Sequence, residues 1–390
     1  MKQEVSTIFS TITDVPTDAI FGINDLFLND SRREKVNLTV GIFIEEDGKS
    51  AQILPSVRLA EEEILRTSET KNYLPIDGDL EYIQATKELI FGKKDLSRIY
   101  GAQTIGGTSA LRILADFVRR EISKTIYISD PTWENHENIF RRANFNIQKY
   151  SYPDHVYEQL EKIPDHSVVL LHAMCHNPTG KDLSFKDWEK LEIVFKQKQL
   201  IPFFDSAYQG FGKGIEEDAF AMRHFLEKGH ECFVAHSYSK SFSLYGERVG
   251  ALFVVMKNDL LVDRMKRNIR SLIRTNYSNP PRHGAHIVKL ILQTPKLRFM
   301  WEKEIEFARK RMQISRKIFS EKIQKAIPKN KFSFSSEGNG FFALLGLTDE
   351  QSNRLRIEFG IYLAPRARVN LTALTTKNID YVVESIAKVL

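Results

Sequence analysis

Five short apolar runs in the middle of this 390-residue chain restrict the folds that it can adopt. They cover residues 125–129, 168–173, 201–205, 232–236 and 249–255. Amphipathic segments with helical spacing, such as 185–199 and 218–228, separate most of these runs. Runs that are apolar on both faces and alternate with helices predict an α/β fold, with a mainly parallel sheet covered by helices. Sheets of this kind bind their ligands at the carboxyl ends of the strands.

The pattern changes after about residue 290. It predicts a long charged helix over 296–326, strand-like segments over 331–347 and 360–371, a helix over 349–359 and a final helix from Lys377. We therefore expect a large domain over 41–295 and a smaller α+β domain over 296–390. Residues 1–40 are expected to form an N-terminal arm and part of the small domain.

Charge and cysteine content exclude several classes of protein. The formal net charge of +6 is dispersed, apart from one basic helical face between Arg264 and Arg274. We interpret that face as a solvated helix surface, with a nucleic-acid surface as the less favoured alternative. Two cysteines are too few for a secreted disulfide scaffold and fit a reducing compartment. Because there is neither a signal peptide nor a run of about 18 apolar residues, we expect a cytoplasmic protein without a membrane span.

A pair of glycines precedes a helix predicted over 111–120. Gly106, Gly107 and Thr108 would let a ligand approach the backbone at the start of that helix, where free N–H groups favour an anion such as phosphate. A tight turn with a Thr or Ser cap is the alternative. The segment lacks the glycine spacing of a dinucleotide fold and the Gly-Lys-Ser/Thr of a phosphate-binding loop.

Ionisable side chains lie next to three of the apolar runs. Asp205 ends one run and Tyr208 follows three residues later, although an Asp at this place is also a common turn or cap residue. Lys240 follows another run and is flanked by hydroxyl groups, so burial would make its amine reactive. Arg248 immediately precedes the last run and supplies a planar donor pair for phosphate or carboxylate.

An aromatic side chain completes this set. Trp133 follows the run 125–129, where it either packs in the core or stacks on a flat ligand. His172, Cys175 and His176 lie close in sequence, but no second ligand cluster occurs at zinc spacing, so we predict no metal. An anion site, a stacking aromatic, a carboxylate, a lysine and an arginine at the strand ends of one sheet together predict a pyridoxal phosphate enzyme.

Motifs spread along the chain resemble the aspartate/aromatic aminotransferases, which are class I enzymes of the fold-type I pyridoxal phosphate family. In order, they are GGTSAL, DPTWENH, CHNPTG, DSAYQGF, SYSK, ERVG, RTNYSNPP and NGFFALLGL. The resemblance extends from about Asp18 to the C-terminus and is closer to the aromatic, or tyrosine, branch. It implies a homodimer with shared active sites.

The resemblance implies a role for each residue of the site. Lys240 is implied to form the Schiff base with pyridoxal 5′-phosphate and to transfer the proton at Cα. Asp205 is implied to pair with the pyridine nitrogen, and Tyr208 to contact the phenolic oxygen of the cofactor. The further cofactor-binding residues implied are Gly107, Thr108, Trp133, His136, Asn177, Ser237, Arg248 and, from the neighbouring subunit, Tyr73.

The same resemblance implies how a substrate binds. Arg368 is implied to bind the α-carboxylate, and Arg274 from the neighbouring subunit the distal carboxylate of aspartate or glutamate. Gly41, Trp133 and Asn177 are implied to lie beside the substrate. The implied reaction is ping-pong transamination between aromatic or dicarboxylic L-amino acids and 2-oxoglutarate or oxaloacetate.

Other functions are compatible with parts of the pattern. A strict aspartate aminotransferase is the main alternative, and a catalytically silent regulatory relative is disfavoured because Lys240, Asp205 and Arg248 are all present. Two departures from the family bear on substrate preference. Arg366 lies where relatives carry a small residue, and Thr39 lies where aspartate enzymes often have glycine.

Overall fold

The computed structural model describes residues 7–15, 19–50, 52–94, 96–328, 332 and 334–390. The α-helices formed by these residues are α1 Ala19–Asn29, α2 Pro55–Thr67, α3 Leu80–Phe91, α4 Gly106–Glu121, α5 Glu134–Arg142, α6 Val156–Leu160, α7 Phe185–Gln197, α8 Phe220–Glu227, α9 Val262–Asn276, α10 His283–Gln293, α11 Pro295–Ala326, α12 Asp349–Phe359 and α13 Ile379–Val389. The strands are β1 Val36–Asn37, β2 Ile99–Ile105, β3 Thr125–Asp130, β4 Asn146–Ser151, β5 Val168–His172, β6 Ile201–Ser206, β7 Cys232–Ser237, β8 Val249–Val255, β9 Phe342–Leu344, β10 Ile361–Tyr362 and β11 Arg368–Asn370.

The central sheet has seven strands in the order β2-β8-β7-β6-β5-β3-β4. Strands β3 to β7 pair in parallel, whereas β8 lies antiparallel to both of its neighbours, β7 and β2. Six strands therefore run in one direction, and the mainly parallel sheet predicted from the apolar runs is confirmed. The carboxyl ends of these six strands lie along one edge, which brings together the residues that follow them.

All five predicted apolar runs are strands of this sheet, with bounds that agree to within one residue. Strands β2 and β4 were not among the predictions. Strand β4 is at the edge of the sheet and most of its residues are exposed, so it lacks an apolar run. Strand β2 is buried, but Gly101 and Gln103 interrupt its hydrophobic pattern. Gly101 is required there because a Cβ atom would lie 2.6 Å from the ring of Phe253.

Helix α4 begins five residues earlier than predicted. It starts at Gly106 instead of residue 111, and the residue at its cap position, Ile105, has no side chain that could bond to the helix. The alternative of a Thr or Ser cap is therefore wrong for this helix. Its first N–H groups have no partner within the helix, which leaves them available to a ligand.

Three hydrophobic clusters hold the described residues together. Two of them lie on opposite faces of the central sheet, so that neighbouring residues such as Phe203 and Phe204 belong to different clusters. The third contains Val36 and Leu38 together with C-terminal residues. Helix α11 joins the regions, since Trp301 belongs to the first cluster and Phe319 to the third. The domain bounds at residues 40 and 295 stay a prediction.

The C-terminal strands are shorter than predicted. Of 331–347, only β9 is a strand, and residues 331 and 333 lie outside the described part of the chain. Of 360–371, β10 and β11 are strands separated by a turn at Pro365–Ala367, where Arg366 and Ala367 have φ values of 59° and 55°. Hydrophobicity does not reveal such a turn. Among the described residues, no helix combines the length and the apolar character needed to cross a membrane.

Candidate active site

A cavity of about 550 Å³ lies at the carboxyl ends of the central strands. Most of the residues predicted from the sequence line it, namely Gly41, Gly107, Thr108, Trp133, Asn177, Asp205, Tyr208, Ser237, Lys240, Arg248 and Arg368. His136 lies directly behind Asp205. Tyr73 and Arg274 are not part of the lining, and both are exposed on this chain. The tertiary structure therefore brings together residues that are up to 327 positions apart, from Gly41 to Arg368.

Asp205, near the end of β6, is held by a chain of hydrogen bonds. Nε2 of His136 lies 2.9 Å from the Asp205 carboxylate, and Nδ1 of His136 lies 2.8 Å from the hydroxyl of Thr132. Because an ionised carboxylate only accepts, Nε2 of His136 is the donor in the first bond. Burial by itself would raise the pKa of Asp205, but the bond from His136 and nearby positive charge lower it below the ordinary value. Asp205 is thus kept ionised and oriented toward the cavity.

Lys240 follows β7 and extends into the cavity. Its amine lies 4.7 Å from the centre of the Tyr208 ring. Burial and, to a smaller extent, the positive charges of Arg248 and Arg368 lower the pKa of Lys240 to about 8, although Asp205 opposes the shift. Near neutral pH a useful fraction of the amine is therefore unprotonated and able to act as a nucleophile or base.

The start of α4, the end of β7 and the segment after β7 form a compact pocket for an anion. Ser237 and Ser239 present hydroxyl groups there, and the Arg248 guanidinium is oriented by bonds to Ser239 Oγ, at 3.2 Å, and to a backbone oxygen. Two glycines keep the pocket open. A Cβ atom at Gly107 would lie 2.9 Å from Cβ of Ser237, and one at Gly106 would lie 2.6 Å from Arg248 Nη2. Free N–H groups, hydroxyls and a guanidinium fit a phosphate group.

Arg368, the first residue of β11, is almost completely buried at 1% exposure. Its Nη1 atom donates to Asn177 Oδ1 at 3.2 Å and its Nη2 atom to the carbonyl oxygen of Thr39 at 3.0 Å. The ring of Phe342 lies 4.3 Å from the guanidinium carbon. Nε is buried without a hydrogen-bond partner. A buried guanidinium with an unused donor is suited to bind a carboxylate.

Tyr73 and Arg274 lie apart from this cavity. Tyr73 is 90% exposed, and the exposed Arg274 side chain donates to the hydroxyl of Ser278. Their predicted functions depend on a second subunit and stay predictions. Among the described residues, no group of three or more His, Cys, Asp or Glu side chains is arranged to hold a metal ion.

Several lining residues were not predicted. Asn135, Ser239, Tyr245 and Phe342 lie within or next to the motifs that identified their neighbours, so closer attention to these motifs would have found them. Other lining residues, such as Ile20 and Asn24 of α1 and Val40, carry no recognisable motif. Only the packing of the N-terminal segment against the cavity reveals them.

Comparisons with known proteins identify relatives across nearly the whole chain. The family model "Aminotransferase class I and II" matches residues 33–386. An aspartate aminotransferase of Pseudomonas aeruginosa is 42% identical over 98% of this chain and 100% of its own length. The structure of an aromatic-amino-acid aminotransferase from Burkholderia pseudomallei, covalently bound to pyridoxal phosphate, matches with a TM-score of 0.94 and 41% identity over 99% of this chain and 100% of that one.

A third similar protein is a psychrophilic aromatic amino acid aminotransferase from Psychrobacter sp. B6, which was cocrystallised with aspartic acid. It matches with a TM-score of 0.93 and 35% identity over 98% of this chain and 99% of that one. The identities to the aspartate-named relative and to the aromatic-named Burkholderia structure differ by only one percentage point. Overall identity therefore does not separate the two substrate preferences.

Proposed function

Since this chain belongs to the aminotransferase class I and II family, we propose that it transfers amino groups between aromatic or dicarboxylic L-amino acids and 2-oxoglutarate or oxaloacetate. It is an aminotransferase that depends on pyridoxal phosphate, and amino acids and 2-oxo acids are its substrates. The observation that supports the proposal best is that Lys240 and the buried Arg368 face the same cavity. A reactive amine and a carboxylate-binding guanidinium are both required for this reaction.

The residues of the cavity fit pyridoxal phosphate. The anion pocket formed by Gly107, Thr108, Ser237 and Arg248 would hold its phosphate, and Asp205 would keep the ring nitrogen protonated. Trp133, Asn177 and Tyr208 would contact the ring and its phenolic oxygen. When bound, the cofactor supplies an electron sink for the bond that is broken at the substrate Cα.

Lys240 performs the proton transfer in this proposal. Its Nζ atom would accept the proton from the substrate Cα and pass it to C4′ of the cofactor within the first half of the reaction. In the second half it would move a proton in the reverse direction, from C4′ to Cα. A pKa of about 8 keeps the amine close to the balance between its two protonation states at physiological pH, which suits a group that must accept and release a proton. Tyr208, whose own pKa is raised by burial, stays a neutral hydrogen-bond donor beside it.

Arg368 binds the α-carboxylate in this proposal, with Gly41, Trp133 and Asn177 around it. Apolar side chains on other parts of the cavity wall leave room for an aromatic side chain, and these are Ile20, Val40, Leu111, Met174 and Phe342. Arg274 from a second subunit would bind the distal carboxylate of aspartate or glutamate. Acceptance of both kinds of side chain distinguishes this proposal from a strict aspartate aminotransferase.

The proposal includes a homodimer that acts in the cytoplasm. Tyr73 and Arg274 are exposed on this chain, so a neighbouring copy is needed if they are to complete a site. Cys175 and Cys232 are both buried and unpaired, which is compatible with a reducing compartment. Sedimentation analysis of the purified enzyme would detect the dimer directly.

The substrate proposal is tested by a half-reaction. Purified, cofactor-loaded enzyme is mixed with aspartate or phenylalanine without an oxo acid, and the change in its visible absorbance is followed. We expect both donors to react at comparable rates, whereas reaction with aspartate alone would identify a strict aspartate enzyme. No reaction with either donor would contradict the proposed substrates, and an unchanged rate in Lys240→Ala would contradict the function of Lys240.

The function of Arg274 is tested with a matched pair of variants. Arg274→Ala should lower kcat/KM for aspartate by a factor on the order of 100 or more, because a charged distal group would lose its partner. Phenylalanine turnover should change much less. Arg267→Ala, an exposed arginine two turns earlier on α9, serves as the control. Equal losses for aspartate and phenylalanine in Arg274→Ala would show that it is not the distal-carboxylate residue.

A further inference from the structure

Two ion pairs connect the segment after β3 with the segment that contains the carboxylate-binding arginine. Arg366 Nη2 lies 2.9 Å from Asp130 Oδ1, and Arg368 Nη1 lies 3.6 Å from Glu134 Oε2. Both arginines belong to the turn before β11 or to β11 itself, and both carboxylates lie at the end of β3 or at the start of α5. The proposed function uses Arg368 but assigns nothing to Glu134.

Glu134 provides the charge that balances Arg368. The Arg368 side chain is only 2% exposed, and a guanidinium buried to this extent requires a nearby negative charge. Among the described residues, Glu134 is the carboxylate within ion-pair distance of it. The separation of 3.6 Å is too long for a hydrogen bond, and Glu134 Oε2 is buried without any hydrogen-bond partner. The pair therefore compensates charge without the bonds of a permanent structural salt bridge.

We propose that Glu134 is an internal carboxylate that pairs with Arg368 in the empty site and is displaced by the α-carboxylate of the substrate. The inference rests on the proposed function of Arg368. Two carboxylates beside one guanidinium repel each other, so binding of a substrate weakens the ion pair between Glu134 and Arg368. The Glu134 side chain is 28% exposed and has a path to water. The Arg366–Asp130 pair keeps the two segments in register while Glu134 moves.

Displacement of this kind changes the affinity for all substrates and products and leaves the choice among them unchanged. Every amino acid and 2-oxo acid carries the carboxylate that Arg368 binds, so Glu134 weakens binding of all substrates and products by a similar factor. It thereby aids product release without selecting among side chains. Arg274, in contrast, acts only on substrates with a distal carboxylate. A common change for aromatic and dicarboxylic ligands therefore distinguishes Glu134 from the residues that determine side-chain preference.

The inference is tested by measuring inhibitor binding to the cofactor-loaded enzyme. Maleate and 3-phenylpropionate are titrated by calorimetry into wild type, Glu134→Gln and the control Glu137→Gln. Glu137 lies on the same helix and pairs with Arg141 and Lys149 instead of Arg368. In Glu134→Gln we expect both inhibitors to bind more tightly by a factor on the order of ten, because no carboxylate competes for Arg368. The control should bind as wild type does.

A second variant and a second measurement separate displacement from a merely structural function. Glu134→Asp keeps the charge on a shorter side chain and should give intermediate affinities. The inhibitor-free Glu134→Gln enzyme should melt at a lower temperature than wild type, because Arg368 loses its counter-charge, and either inhibitor should close most of that gap. A melting temperature that stays equally low with and without inhibitor would indicate a structural function and would overturn the inference.

The outcome also separates this inference from the proposed function. If Arg368→Met binds both inhibitors as wild type does, the proposed carboxylate site itself is wrong. If Arg368→Met loses binding while Glu134→Gln binds with unchanged or weaker affinity, the carboxylate site stands and the displacement by substrate is refuted.

Discussion

Replacing Lys240 with methionine should stabilise the cofactor-free protein. Burial of the amine lowers its pKa from the ordinary 10.5 to about 8, so the fold disfavours the charged form of this side chain. At about 1.4 kcal/mol per pKa unit, this shift corresponds to about 3 kcal/mol of lost stability. Lys240 is only half-buried and the cavity admits water, which brings the expected gain for Lys240→Met to about 2 kcal/mol.

The gain should depend on pH in a defined direction. Below about pH 8 the amine is charged in both the folded and the unfolded chain, so burial of the charged amine lowers the stability of wild type by its full amount. Between about 8 and 10.5 the unfolded chain binds more protons than the folded one, so the stability of wild type rises with pH. Above about 10.5 the amine is neutral in both states. The advantage of Lys240→Met should then have disappeared.

Denaturant unfolding of the cofactor-free proteins at pH 7 and pH 10 measures this difference. Lys186→Met, at an exposed lysine on α7, controls for the change in composition and should show no comparable pH-dependent gain. If Lys240→Met is no more stable than wild type at pH 7, or if its advantage is the same at both pH values, the argument from burial is wrong. The expected trade of stability for reactivity is common at active sites.

Two further predictions concern Gly107 in the anion pocket and the turn before β11. Gly107→Ala should weaken cofactor binding by a factor on the order of ten, because its Cβ would lie 2.9 Å from Cβ of Ser237. Fluorescence titration measures this affinity, and an unchanged value would contradict the proposal that this pocket binds the cofactor. Arg366→Gly should be more stable than Asp130→Asn by about 1 kcal/mol in denaturant unfolding, since both variants lose the same exposed ion pair but only glycine relieves the φ of 59°. The reverse order would show that this backbone conformation is not strained.

Much of the fold follows from local patterns. The apolar runs identified five strands of the central sheet to within one residue. Helices cover both faces of these strands, so apolar residues follow one another along the sequence without alternating with exposed polar residues. Helix α12 matches its predicted bounds, since Thr348 forms a capping box at its start and Gly360 adopts a left-handed conformation at its end. Strands β2 and β4 were not predicted. Strand β2 contains small and polar residues, and β4 is an exposed edge strand.

The candidate site shows a similar division. Asp205 and Lys240 could be identified because each lies at or after the carboxyl end of an apolar run, where parallel sheets place their ligands. Arg248 precedes its run, and it reaches the same edge of the sheet because β8 is antiparallel to its neighbours. Glu134 belongs to a quoted motif, yet nothing local indicates that its carboxylate faces Arg368, 234 positions away. Likewise, α1 contributes Ile20 and Asn24 to the cavity wall without any motif of its own.

The sequence by itself determined five of the seven strands of the central sheet, the family and the types of side chain available for chemistry. These properties depend on neighbouring residues, whose hydrophobic pattern and motif spacing are visible in one dimension. Only the tertiary structure decided which side chains share the cavity, that the pKa of Lys240 is lowered and that Arg368 is balanced by Glu134. Burial and charge pairing depend on distances between segments far apart in the chain, and those distances exist only once the chain has folded.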